Sequence, residues 1–182
     1  MTQINSDNPT LRLRALAADR SHDFRLEPDA ETRAKLAQTL GISGLRKLRF
    51  AGQLVPENRS DWRLQGMLGA TVIQPCVVTL EPVTTRIDTE ISRLYTAADE
   101  VIPDAPEVEM PEDDSVEPMP DLLNLAEVMT EALALALPDY PRADGAALEQ
   151  AQFAEPGVAP MTDEDAKPFA ALAALKAAQK KE

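Results

Sequence analysis

The chain is poor in the residues that carry most enzyme chemistry: among 182 residues there is one cysteine and one histidine. A single thiol, Cys76, leaves no internal disulfide and no site built from several thiolates. A single imidazole, His22, stands beside Asp23 in a polar stretch with no nucleophile or metal ligand in its pattern, and reads as a solvated side chain rather than a base. Glycines number seven, and none falls at the spacing of a phosphate loop: Gly41 and Gly44 flank a predicted helix end with no Lys-Ser/Thr after them. The serines lack the context of a nucleophile elbow. No run of about 18 apolar residues occurs, so no membrane-spanning helix is predicted. The first ten residues lack the basic and apolar regions of a secretory leader, and the expectation is a cytoplasmic protein. Nothing in this inventory calls for a cofactor, a metal or an enzymatic activity.

What is present in quantity is acid, unevenly placed. The net charge is −13, yet residues 1–63 hold 11 Lys/Arg against 8 Asp/Glu, a mildly basic front. Residues 99–121 hold ten acids and no base, with Pro103, Pro106, Pro111, Pro118 and Pro120 among them. Such a segment has no apolar surface to bury, so it is predicted to be a solvated loop, longer than an ordinary connection.

The hydropathy pattern predicts an α+β fold. Leu11 and Leu13 alternate with Arg12 and Arg14, and Phe24 with Leu26, as short strands. Asp29 is placed to cap a helix running to about Leu40 and stopped by Gly41. From Leu45 the period is two: Leu48, Phe50, Gly52 and Leu54 fall on one face, Lys47, Arg49, Ala51 and Gln53 on the other. Further runs follow at Trp62–Leu68, at Thr71–Leu80 bent by Pro75, and at Val83–Tyr95, so consecutive strands with short turns predict an antiparallel meander. Asn124 with Glu127 reads as the start of a helix reaching about Leu137, with Leu125, Val128, Met129, Ala132 and Leu135 on its apolar stripe. The predicted organisation is one α+β domain over residues 1–142, a curved antiparallel sheet or partly open barrel with two packed helices. A flexible linker is predicted over 143–164 and a short helix over 165–182.

Four features carry candidate chemistry. The acids Glu107, Glu109, Glu112, Asp113 and Asp114 lack the spacing and mid-loop glycine of a calcium loop, which leaves a solvated acidic strap able to bind or shield a basic partner. Cys76, in an apolar run, reads as a small buried hydrophobe. Arg46, Lys47 and Arg49 read as an exposed strand face or as phosphate contacts, with alternation placing Lys47 and Arg49 together. The segment Lys167–Lys176 offers Phe169, Leu172 and Leu175 at helical spacing, either folded back on its own domain or docked in a partner's groove.

Three segments together resemble the YceD family. They are Ala70-Thr71-Val72-Ile73-Gln74-Pro75-Cys76-Val77-Val78-Thr79-Leu80-Glu81-Pro82, the helix from Leu125 to Pro138 with Tyr140-Pro141-Arg142, and Lys167-Pro168-Phe169 through Lys176. The resemblance implies a bacterial protein needed for large-subunit rRNA to accumulate or be processed, with no established enzymatic activity and a gene commonly beside that of a small basic ribosomal protein. It also implies a Cys-x-x-Cys pair, of which this chain keeps Cys76 and carries Thr79 in the second place. Two mechanisms follow as expectations. In the first, the acidic stretch and terminal helix hold a basic ribosomal protein of the large subunit, which the −10 stretch favours. In the second, Arg46, Lys47, Arg49 and Arg63 touch pre-ribosomal rRNA. Neither involves a membrane or a small-molecule substrate.

Overall fold

The computed structural model describes residues 4–58, 60–97, 116–147 and 154–161. Three long strands dominate: β4 (Gly44–Glu57), β5 (Asp61–Pro75) and β6 (Pro82–Thr96), preceded by β1 (Ile4–Asn5), β2 (Thr10–Leu11) and β3 (His22–Leu26) and followed by β7 (Val116–Pro118) and β8 (Leu123–Asn124). Among the described residues two α-helices, α1 (Ala30–Thr39) and α2 (Leu125–Ala136), complete the set. The main sheet runs β1-β3-β4-β5-β6-β7, and β2 pairs with β8 apart from it.

The meander β3 to β6 is antiparallel as predicted, but β1 joins β3 in parallel and so does β7 with β6. The sheet is therefore mixed, and its end strands β1 and β7 do not meet to close a barrel. The runs that read separately as Trp62–Leu68 and Thr71–Leu80 are one strand ending at Pro75, because Gly69 and Ala70 keep the pairing with β6 unbroken. Leu13 lies not on a strand but in a turn of 3₁₀ helix, Leu13–Ala15, which buries its side chain.

Both helices begin where their caps predict. The Asp29 carboxylate accepts from the Thr32 N–H at 2.8 Å, and Gly41 leaves the helix at φ +66°. The Asn124 side chain accepts from the Ala126 N–H at 3.0 Å and donates to Glu127 Oε1 at 2.9 Å. Helix α2 buries Leu125, Val128, Met129, Ala132 and Leu133; Leu135, expected in that stripe, is 79% exposed. Leu133 follows Met129 by one full turn and takes the core position instead.

The core sits on the face shared by Phe50, Leu54, Leu64, Leu68 and Val72, closed by Phe24 and Leu26 from β3. Phe24 and Phe50 pack with ring centroids 4.9 Å apart at 55°. Gly66 lies beneath both: a Cβ there would stand 2.8 Å from Phe50 Cε2. This close approach is why the alternating pattern carries a glycine in mid-strand.

Residues beyond Asp144 belong to a second unit. Among its described residues the backbone closes one turn, with the Val158 N–H on the Glu155 carbonyl at 3.0 Å and Gly157 at φ +92°.

Candidate functional site

The basic residues of β4 are arranged by an irregularity in that strand. Arg46 pairs with Thr71 and Arg49 with Gly69, so β4 uses one residue more than β5 over the same span. Lys47, within the bulge, has φ +51°, a left-handed backbone that costs a residue with a Cβ about 1–2 kcal/mol. Strict alternation sets Lys47 with Arg49 and Arg46 opposite. The extra residue corrects this: Thr71 and Gly69 are two apart on β5, so their partners Arg46 and Arg49 share a face. The register extends to β6, where Thr71 pairs with Arg86 and Gly69 with Asp88. Two rows result, Arg46–Thr71–Arg86 and Arg49–Gly69–Asp88.

Between these rows and the start of α1 lies a cleft of about 740 Å³, to which Arg33, Lys47, Arg49, Thr71 and Arg86 contribute. A neighbouring depression, also bordered by Arg33, contains Arg46. The acids nearby are already engaged. Glu27 pairs with Arg25 at 2.6 Å. Asp29 caps α1, and hydrogen bonds from Thr32 hold its carboxyl below the usual range. Asp88 takes a bidentate contact from Arg86, with Nε at 2.7 Å from Oδ2 and Nη2 on Oδ1, which keeps its pKa low, with Arg49 a further positive neighbour. Arg33 donates through Nη1 to the Pro28 carbonyl at 2.5 Å. Among the described residues no carboxylate lies within ion-pair distance of Arg33, Arg46, Lys47 or Arg49. Planar guanidinium groups with free N–H edges suit the paired oxygens of phosphate.

Arg63 is not part of this group. It lies at the far end of β5, bonded to Glu57 at 2.5 and 2.9 Å. Arg33 and Arg86 are the members that sequence reasoning misses. In the sequence Arg86 is only one side of an alternating run, and its neighbours follow from register across three strands. The acids Glu107, Glu109, Glu112, Asp113 and Asp114 and the apolar Phe169, Leu172 and Leu175 lie outside the described residues. His22 is not freely solvated: Nε2 is 2.9 Å from the Ala17 carbonyl, and the ring leans on Trp62.

Cys76 is fully buried, as expected, but it opens the turn after β5 rather than sitting within a strand. The Val78 and Thr79 N–H groups approach Sγ at 3.4 Å and that of Ala143 at 3.3 Å. Hydrogen bonding from the Thr79 side chain, then from the Ala143 and Thr79 N–H groups, lowers the thiol to about 6 against the opposing effect of burial. Thr79 thus faces Cys76 across the turn, where it supplies hydrogen bonds and no second thiolate. Among the described residues no group of three or more His, Cys, Asp or Glu side chains is arranged to hold a metal ion. No described helix is long and apolar enough to cross a membrane.

No curated protein and no solved structure matches the chain. The family model described as large ribosomal RNA subunit accumulation protein YceD matches residues 64–176, well over half of the chain. The matched stretch carries Gly69, Thr71, Arg86 and Asp88, while Arg33 and the β4 bulge precede it. The description names the accumulation of an rRNA, not a reaction. On this match the chain belongs to the YceD family.

Proposed function

We propose that this protein supports large-subunit rRNA accumulation by binding without catalysis, and that its cationic cleft contacts the RNA backbone. The observation that carries this reading is the gathering of Arg33, Lys47, Arg49 and Arg86 on one cleft, with Arg46 on the same sheet face. Phosphate contacts of this kind fix position and give affinity, and they are sensitive to salt. A chain of net charge −13 confines such a contact to a local patch, because its overall field repels polyanions.

The test is the affinity for large-subunit rRNA fragments over a salt series, comparing the protein with an Arg46→Glu/Lys47→Glu/Arg49→Glu variant. The variant is expected to bind at least roughly tenfold more weakly, with the salt slope smaller by about one for each phosphate no longer neutralised. Equal affinities and slopes would overturn the reading.

A second reading rests on the ten acids without a base in residues 99–121. There the stretch from Glu107 to Asp114, with Phe169, Leu172 and Leu175, holds a basic protein of the large subunit until assembly. Capture of such a protein that survives RNase and fails on neutralising Glu107 to Asp114 supports it.

A further inference from the structure

Gly69 is the middle of the row Arg49–Gly69–Asp88, beside the row that carries Arg86. Its partners across the sheet are Arg49 on one side and Asp88 on the other. A Cβ at this position would lie 2.6 Å from Arg86 Nη2 and 3.1 Å from Asp88 Oδ1. The Arg86 guanidinium therefore lies across bare backbone, in space that any other residue would occupy. Asp88 engages only its Nε and Nη2 edge. A guanidinium carries five N–H donors, so the two hydrogens on Nη1 and one on Nη2 are left over. Among the described residues none of these is bonded. Asp88 thus orients the group without using it up.

We propose that Arg49 and the free edge of Arg86 form a seat for one backbone phosphate of RNA, with Gly69 the bare backbone on which the Arg86 guanidinium lies. This deepens the reading of the cleft and rests on it. Arg49 and Arg86 touch the phosphate; Gly69 and Asp88 are positioning residues. A phosphate seated there meets the free fork of Arg86 from one side and the Arg49 side chain from the other. The missing Cβ makes room for Arg86 Nη2 and so keeps the Arg86 fork aimed. Placement, and not charge alone, makes the contact, so a change that moves Arg86 without altering any charge must weaken binding.

Gly69→Ala is that change. The displaced atom is the end of a flexible side chain, so the fold can absorb it, and alanine suits a strand better than glycine. The probe is a short single-stranded oligouridine, with thermal melting as the control for folding. Gly69→Ala is expected to melt like the parent and to bind about fivefold more weakly, close to Arg86→Gln. Its salt slope should shrink by about 0.7, the value for one phosphate on a single strand, and the double variant should bind no more weakly than either single one. Parental affinity and slope for Gly69→Ala, with Arg86→Gln weakened, would show that only charge counts and would overturn the seat while leaving the cleft reading intact. Failure of the parent to bind oligouridine, or indifference to the Arg46/Lys47/Arg49 reversal, would overturn both. If Gly69→Ala does not fold, Arg86→Lys decides: it keeps the charge and loses the planar fork, and parental affinity would overturn the seat. Displacement of the oligonucleotide by inorganic phosphate at equal phosphate concentration would assign the seat to a free anion and overturn the RNA contact.

Discussion

The two ends of the same three strands treat their arginines in opposite ways. At the end where β7 joins β6, Arg93 bridges Glu117 and Glu131 at 3.0 Å each, with its side chain 13% exposed, and Arg63 is held by Glu57. The Asp61 carboxyl beside them accepts from the Ala97 N–H at 3.0 Å, which lowers its pKa. Burial pushes Tyr95, next to this group, up to about 12. At the other end, among the described residues, Asp88 alone pairs with a cleft cation. Where two acids enclose a cation, as Glu117 and Glu131 enclose Arg93, it serves the fold; where one acid leaves an edge facing the cleft, as Asp88 leaves that of Arg86, the edge is open to a ligand.

Arg93→Ala gives the largest expected change. It leaves Glu117 and Glu131 beside each other against a buried tyrosine and removes the tie between β6, β7 and α2. A loss of about 1.5–3 kcal/mol is expected in denaturant unfolding, with no selective effect on RNA binding. A stability loss under about 0.5 kcal/mol would erase the contrast between the two ends.

The Arg46/Lys47/Arg49 reversal should do the converse, leaving stability within about 0.5 kcal/mol, as surface changes do, while RNA affinity falls. A large stability loss would mean that these cations, too, serve the fold.

Smaller still is the effect of Arg63→Gln, which should change RNA affinity by less than about twofold, since it does not line the cleft. A loss as large as that of Arg86→Gln would extend the interface along the whole sheet.

A last effect, read against pH, concerns Cys76, whose thiol is lowered to about 6. A thiol whose folded-state pKa is depressed stabilises the fold fully above its unfolded value and loses that contribution as pH falls through the folded one. The melting temperature of the protein relative to Cys76→Ala should therefore rise between about pH 6 and pH 9 and be flat below. A flat difference throughout would show that the hydrogen bonds on Sγ do not favour the thiolate.

Much of this is legible from residue order, and the exceptions share a cause. Asp29, Gly41 and Asn124 mark helix ends because capping is settled within four residues. The alternation of Phe50, Gly52 and Leu54 shows which side of β4 is buried. Leu135 is misplaced by periodicity because two leucines, Leu133 and Leu135, compete for the core and only packing against the sheet chooses. Alternation puts Arg46 on the wrong face because a bulge leaves no mark in local composition; β5 supplies one residue fewer across from it. Arg33 and Arg86 escape notice because they are far apart in sequence from Arg49.

By itself, the sequence determined the fold class, the family, the caps, the buried face of each long strand and the uneven charge, because these depend on residue type and near-neighbour spacing. Tertiary structure alone decided the parallel pairing at both edges of the sheet, the gathering of cations around Gly69 and the neutralisation of Arg93. Those depend on which distant residues are brought opposite one another, and register is a property of paired strands that no single strand contains.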